Sequence, residues 1–324
     1  MVGHDVLVIL DGAGEPLDGA RPTSLELART PALDALARGG TLSRLRTVPV
    51  GLPAGSEAAI PVLLGWTPTA PVDRSTIEAA AHGIPVPAGA RPWRVDVVDG
   101  DGRRADAVTT RRAARALRVG APGNAVHQLS GHRLLLVGAA PLPDAARAPD
   151  LRVWPDGVAV PPTLDATTVM IAARGAGAGV AALLGARVVV PDGATGDPDT
   201  DLGAKAAAAI AALEAGAEHL VVHVGGADEA AHALDAAGKV GFLERADREL
   251  IAPLAAAVSR AGGSLQVCPD HGCDPATGEH DAHPVPCVTW PAADSASPGT
   301  HRLTERCVAG LAVTDLTVNA LAPA

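Results

Sequence analysis

Tyrosine is absent from this chain of 324 residues, phenylalanine occurs once, and Lys205 and Lys239 are its only lysines. Alanine, valine and leucine make up most of the apolar half, and arginine carries most of the positive charge. That bias reads as base composition and not as a functional signal. Cysteine is scarce too. Cys268, Cys273, Cys287 and Cys307 form no CxxC pair and lack the density of a disulfide framework, so reduced thiols in a cytoplasmic protein are expected. Cys268 and Cys273 also lack the spacing usual for a structural zinc pair. No basic stripe exists: the formal net charge is −10, and the pairs at Arg103, Arg104 and Arg111, Arg112 sit among acids, which excludes a nucleic-acid surface. Long apolar runs are missing. The most apolar helix-like stretch, Ala206 to Leu213, lies between Lys205 and Glu214 and is too short to cross a bilayer. Met1 leads almost at once into a strand-like run, so no secretory signal is read there. Gly12-Ala-Gly14 does not extend to GxGxxG, which removes the dinucleotide fingerprint. Nothing in the sequence fixes an oligomeric state.

What is present is strand–helix alternation. The length suffices for one large domain carrying a smaller one. Four apolar runs end where a polar motif begins: Val6–Leu10 before Asp11-Gly12, Arg187–Val190 before Pro191-Asp-Gly-Ala-Thr-Gly196, Leu220–Val224 before Gly225-Gly-Ala-Asp228, and Ser264–Val267 before Cys268-Pro-Asp270-His271. Short apolar runs bounded by Gly and Pro suit buried parallel strands. Helical patterns over 24–39, 204–215 and 239–261 lie between them. The expected fold is a doubly wound α/β sheet with helices on both faces and ligands at the carboxyl ends of its strands. Residues 71–174 differ in texture, with Pro/Gly-rich turns, strand-like Trp93–Val98 and His132–Val137, and a helix-like segment over Thr109–Leu117. They read as a smaller α+β domain inserted into a core formed by 1–70 and 175–324.

Seven residues of metal-ligand type fall in that core. Asp11 ends a buried strand, and Gly12 lets the backbone turn close to a cation; alone, a capping aspartate is the simpler reading. Ser56 follows Gly51-Leu-Pro-Ala-Gly55 at the start of a helical run, where free backbone N–H groups and the positive helix end suit a transferring phosphate. Metal coordination would lower its hydroxyl pKa enough to make it a nucleophile. Asp228 and His232, four residues apart on a helix, share one face and can reach one cation, as can a solvated polar pair. Asp270 and His271 follow the last core strand, and His280 returns after a short loop to supply a third ligand beside Asp228 and His232. Carboxylates with imidazoles suit Mn²⁺ or Zn²⁺, with Mg²⁺ a further candidate. His283 reads as a loop histidine. Lys205, at a helix start after a strand-end loop, is a candidate phosphate contact. Arg74 and Arg94 in the insertion are candidates for a phosphate or carboxylate of the substrate.

These motifs have a family order. Asp11-Gly12, Thr30-Pro-Ala-Leu-Asp34, Leu52-Pro-Ala-Gly-Ser56-Glu, Pro191-Asp-Gly-Ala-Thr-Gly196, Asp228-Glu-Ala-Ala-His232, Lys239 with Glu244-Arg-Ala-Asp247, Asp270-His271 and His280-Asp-Ala-His-Pro-Val-Pro286 resemble the archaeal-type cofactor-independent phosphoglycerate mutases of the alkaline phosphatase superfamily. The resemblance implies an alkaline-phosphatase-like core and two divalent cations. It implies that Ser56 is phosphorylated, that Asp11, Ser56, Asp270 and His271 hold one cation, and that Asp228, His232 and His280 hold the other. It also marks Lys205 for phosphate, Arg74 and Arg94 for substrate, and a small phosphorylated metabolite as the partner.

Departures concentrate in the insertion, which is shorter than usual. The family's Gly-Arg-Gly-Pro stands here as Asp73-Arg-Ser-Thr76, and its Phe-Arg-x-Asn as Trp93-Arg-Val-Asp96. An aspartate facing the pocket would repel an anionic substrate. A reduced lid would also exclude water less well and retain product less well. The sequence therefore leans to a phosphomonoester phosphatase working through phosphoserine at Ser56. Phosphoglycerate mutase is the alternative, and a catalytically inactive metal-binding homologue is the third reading.

Overall fold

The computed structural model describes residues 5–129, 131–291 and 302–316. The chain forms two compact units, Met1–Pro71 with Pro162–Ala324, and Val72–Pro161.

The larger unit is built on an eight-stranded sheet in the order Val313–Asp315, Thr41–Arg46, Val285–Trp290, Ser264–Cys268, Asp5–Leu10, His219–Val224, Thr168–Ile171, Arg187–Val189. The five strands from Ser264–Cys268 to Arg187–Val189 are parallel. Val285–Trp290 runs antiparallel to both of its neighbours. Both faces of the central strand are buried. Val6, Val8 and Leu10 join the main core with Leu220, Val222, Val224, Phe242 and Leu254. Leu7 and Ile9 point to the opposite face, as the two-residue period of a strand requires, and are equally enclosed. On that second face the small residues of the Ala176–Leu184 helix permit close approach: a Cβ on Gly177 would stand 3.1 Å from the His223 ring and 3.2 Å from Met170.

The smaller unit holds a four-stranded antiparallel sheet, Ala125–Gln128, Arg133–Ala139, Ala90–Val97, Leu151–Val153, with helices Arg74–Ala81 and Ala107–Gly120. Trp93, Val95, Val97, Leu117, Val126, Leu134 and Leu136 form its core. Residues 162–174, which their texture assigns to the insertion, belong to the larger unit. The reason is Thr168–Ile171, a four-residue strand hydrogen-bonded between His219–Val224 and Arg187–Val189.

The helical pattern over 24–39 is broken. Ser24–Leu27 and Pro31–Gly39 are separate helices, because Pro31 has no N–H to continue the first and sits where a helix tolerates it, at the start of the second. Thr30 caps the second helix with no side-chain bond. Asp247 does so from afar, accepting from the N–H groups of Ala32 at 3.0 Å and Leu33 at 2.8 Å. Asp247 itself begins a π-helical turn, Asp247–Ile251, between Ala236–Ala246 and Ala252–Ala261, where one continuous helix was expected. Glu244 accepts from the Arg29 N–H at 2.9 Å. Two motif residues thus serve the scaffold by tying the first helices to this long one.

Candidate metal centre

Three adjacent parallel strands deliver most of the site from their carboxyl ends. Asp5–Leu10 leads into Asp11, His219–Val224 into the Gly226–His232 helix bearing Asp228 and His232, and Ser264–Cys268 into Asp270 and His271. Ser56 is the first residue of the Ser56–Leu63 helix. His280 returns on Glu279–Asp281, which pairs antiparallel with Gly272–Asp274. All seven candidate ligands therefore lie in the larger unit.

They form two groups. In the first, Ser56 Oγ donates to Asp11 Oδ1 and Oδ2, each at 3.2 Å, and stands 3.5 Å from His271 Nε2. His271 Nε2 lies 3.3 Å from Asp11 Oδ1 and 3.6 Å from Asp270 Oδ2. The other oxygen of Asp270 accepts from the N–H groups of Gly12 at 3.1 Å and His271 at 2.9 Å, which orients the carboxylate. In the second group, His280 Nε2 is 3.1 Å from Asp228 Oδ1 and 3.0 Å from His232 Nε2, and His232 Nε2 is 3.3 Å from Asp228 Oδ2. Donor atoms of Asp11, Asp270 and His271, and separately of Asp228, His232, Cys273 and His280, lie within 4.8 Å of one another in each set.

The histidine tautomers test whether cations fit. Nδ1 of His271 faces the carbonyl of Gly272 at 3.1 Å, Nδ1 of His232 that of Gly278 at 2.8 Å, and Nδ1 of His280 that of Ala54 at 3.1 Å. A carbonyl only accepts, so each Nδ1 carries the hydrogen and each Nε2 presents its lone pair to the cluster. The facing lone pairs of His232 and His280 at 3.0 Å repel unless a cation or a proton sits between them. Without a metal the proton takes that place. Burial alone would lower His280, but its bond to Asp228 and that group's charge raise it to about 9. Burial would likewise raise Asp228, yet the bonds from His232 and His280 hold it well below the carboxylate range. In the first group, burial and then the charges of Asp270 and Asp228 push Asp11 well above it. Asp270 Oδ2 is buried with no hydrogen-bond partner. Orphaned oxygens, crowded carboxylates and converging lone pairs form a donor set short of positive charge, and two divalent cations fit it.

Lys205 is fully buried and donates to the carbonyls of Thr195 and His223, each at 3.3 Å. Burial lowers it to about 8, offset in part by Asp11. Arg245 steadies the loop that Lys205 reaches, donating to the carbonyls of Pro198 and Thr200. Arg74 and Arg94 lie in the smaller unit. Arg94 pairs with Glu78 at 2.7 Å and Asp96 at 3.0 Å, and both guanidinium groups lie over the Trp154 ring. His283 is exposed, 3.0 Å from Asp281.

Two residues of the centre escape a sequence reading. His223 points from the His219–Val224 strand to the second face; its Nε2 lies 3.1 Å from Asp11 Oδ2 without the alignment of a hydrogen bond, and burial lowers it to about 4. A histidine inside the buried apolar run Leu220–Val224 is the only local signal. Cys273 carries none, because its neighbours in the site come from a helix and from the opposite strand.

Residues 4–310 match the profile of the metalloenzyme superfamily. The chain belongs to that superfamily. Curated relatives of this metalloenzyme include "2,3-bisphosphoglycerate-independent phosphoglycerate mutase 1" of Archaeoglobus fulgidus, 29% identical with 87% of this chain and 88% of the relative covered. The "2,3-bisphosphoglycerate-independent phosphoglycerate mutase" of Methanopyrus kandleri is 28% identical, with 87% of this chain and 85% of the relative covered. Among solved structures, the PH0037 protein of Pyrococcus horikoshii superposes with a TM-score of 0.79 at 22% identity, covering 98% of this chain and 95% of the other. A cofactor-independent phosphoglycerate mutase from Thermoplasma acidophilum gives 0.59 at 18% identity, with 97% of each chain covered. At those identities the superpositions establish the fold alone, an α/β architecture on a large, mostly parallel sheet, as the strand–helix alternation predicts. Among the described residues no helix is long and apolar enough to cross a membrane.

Proposed function

We propose that this metalloenzyme is a cofactor-independent phosphoglycerate mutase, interconverting 3- and 2-phosphoglycerate through a phosphoserine at Ser56. The observation that carries the reading is the position of Ser56 Oγ, within 3.5 Å of both Asp11 and His271 at the first residue of a helix. Two divalent cations, Mn²⁺ or Zn²⁺ with Mg²⁺ a further candidate, held by Asp11, Ser56, Asp270 and His271 and by Asp228, His232 and His280, would neutralise phosphate charge and lower the pKa of the serine hydroxyl.

The chain's own groups do the rest. Ser56 Oγ gives up its proton and attacks phosphorus as the bond to the substrate oxygen breaks in line, and that one proton ends on the departing oxygen, which leaves as the alcohol. The Ser56–Leu63 helix offers its first N–H groups to the phosphoryl oxygens. Lys205 adds a positive charge from beside the same strand ends. The retained glycerate turns, its other hydroxyl attacks the phosphoserine, and Ser56 is regenerated. Arg74 and Arg94 of the smaller unit are candidates for a phosphate or carboxylate of the substrate, groups that guanidinium forks match.

The lean to hydrolysis loses one of its supports. Asp96 does not present an uncompensated charge: Arg94 pairs with it and Trp154 Nε1 donates to it at 2.8 Å. Burial would raise its carboxyl, but His132 and these partners hold it below the usual range. The names of the relatives favour the mutase as well.

The test is to incubate the metal-reconstituted protein with 3-phosphoglycerate and follow 2-phosphoglycerate and free phosphate together. Isomer without phosphate supports the mutase, whereas phosphate alone returns the reading to a phosphatase. Neither product overturns the mutase and moves the search to other phosphate esters.

A further inference from the structure

The second donor group contains a side chain that no assignment so far uses. Cys273 is fully buried and lies with Asp228, His232 and His280 in a set whose donor atoms are within 4.8 Å of one another. Strand pairing explains why. Gly272–Asp274 and Glu279–Asp281 are antiparallel, and the register sets Cys273 directly opposite His280. Residues so paired project to the same side of the ladder with Cβ atoms about 5 Å apart. His280 points at Asp228 and His232, so Cys273 does too.

The backbone of Cys273 is held from both sides. Its N–H donates to the Gly14 carbonyl at 2.9 Å, and its own carbonyl accepts from Lys239 Nζ at 2.6 Å. Lys239 is itself fully buried and pinned by Glu15 at 3.1 Å and by the Gly14 carbonyl at 3.3 Å. A sulfur on a backbone this constrained does not drift out of the cluster.

We propose that Cys273, as a thiolate, is a fourth ligand of the cation held by Asp228, His232 and His280. The proposal rests on the two-cation reading above and extends it to metal choice. A carboxylate, two imidazoles and a thiolate suit zinc, for which soft sulfur is a preferred donor. The group around Ser56 offers three oxygen-bearing side chains and one imidazole, a harder set that suits manganese or magnesium. The two positions therefore select different ions.

Cobalt reports on this directly. Chelator-stripped protein is titrated with Co²⁺, and the near-ultraviolet absorption is read alongside the bound stoichiometry. The expected result is two Co²⁺ per chain with a thiolate-to-cobalt charge-transfer band, and loss of that band in Cys273→Ser with the second Co²⁺ still bound. Zn²⁺ affinity at that position should fall by about 10- to 100-fold in the variant. Two bound Co²⁺ without the band in the unaltered protein overturn the proposal and leave the two-cation reading standing, whether or not the variant folds. A band that survives in Cys273→Ser assigns it to another cysteine and also overturns it. Failure to bind Co²⁺ at all removes both readings together.

Discussion

Gly12 and Asp228 occupy the same space: a Cβ built on Gly12 would stand 2.5 Å from Asp228 Oδ1 and 2.8 Å from its Cα. Gly12 also has a φ of 61°, a left-handed conformation that costs a residue with a Cβ roughly 1–2 kcal/mol. The turn after the central strand and the helix carrying Asp228 are thus fitted against each other with no room for a methyl group. Gly12→Ala should displace Asp228, weaken the cation site it shares with His232 and His280, and destabilise the fold by about 2 kcal/mol or more. Metal content and urea unfolding measured on one preparation check both effects.

Ser56→Ala should reduce turnover by about 10⁴-fold or more, as removal of a nucleophile does. Most of the bound metal should remain, because Asp11, Asp270, His271 and the second group stay in place. Phosphate should no longer be trapped on the chain, which intact mass after brief exposure to substrate would show. Full activity in this variant would end the assignment of Ser56.

Chelation should lower the melting temperature, because the folded chain then loses a ligand that favours it and the carboxylates of Asp11 and Asp270 are left crowded in the first group. A ligand present at one hundred times its dissociation constant stabilises by about 2.7 kcal/mol. Scanning calorimetry before and after chelation, and again after Zn²⁺ or Mn²⁺ is restored, measures the difference. An unchanged transition would show that the donor groups hold no ion.

Asp247→Ala should cost about 1–2 kcal/mol, typical of a lost helix cap, and Asp247→Asn much less, since an amide oxygen can still accept from Ala32 or Leu33. Chemical denaturation of the two variants separates them. The metal centre is not touched, so metal stoichiometry should be unaltered in both.

Glu305 gives stability a pH dependence of its own. Its carboxyl is buried and raised to about 7 from an ordinary 4.5, chiefly by loss of water. The folded chain therefore holds this proton more tightly than the unfolded one. The contribution is complete below about 4.5 and is lost as pH rises through about 7, amounting to roughly 3 kcal/mol at most. Glu305→Gln should flatten that part of the profile, and unfolding midpoints of both proteins at pH 5 and pH 8 supply the comparison. An equal fall in both would assign the pH dependence to other groups.

Four of the candidate site residues were legible because each sits beside a local signal, at a strand end near a glycine or at a helix start after a glycine-containing loop. Asp11, Ser56, Asp228 and Asp270 all have this form. Cys273 and His223 were not, since one depends on cross-strand register and the other on which face of a strand is turned to the site. The central parallel strands stood out as apolar runs. Thr41–Arg46 did not, because a strand between Val313–Asp315 and Val285–Trp290 near the sheet edge keeps polar residues. Thr168–Ile171 was hidden by its shortness within a Pro/Gly-rich stretch. The break at Pro31 went unread in the helical pattern over 24–39, since the cap that makes a new helix start favourable there comes from Asp247, more than two hundred residues on.

The order of strands carries a consequence for how the protein is made. Asp5–Leu10 is made before both of its sheet neighbours, His219–Val224 and Ser264–Cys268, which follow it by about two hundred residues or more. For most of synthesis the most apolar strand of the sheet has neither partner, and both its edges are open to other chains. The donor set is not complete until His280 has emerged. Any loading with metal would therefore follow the emergence of His280, and nascent chains arrested before Ser264 should depend on chaperones to stay apart.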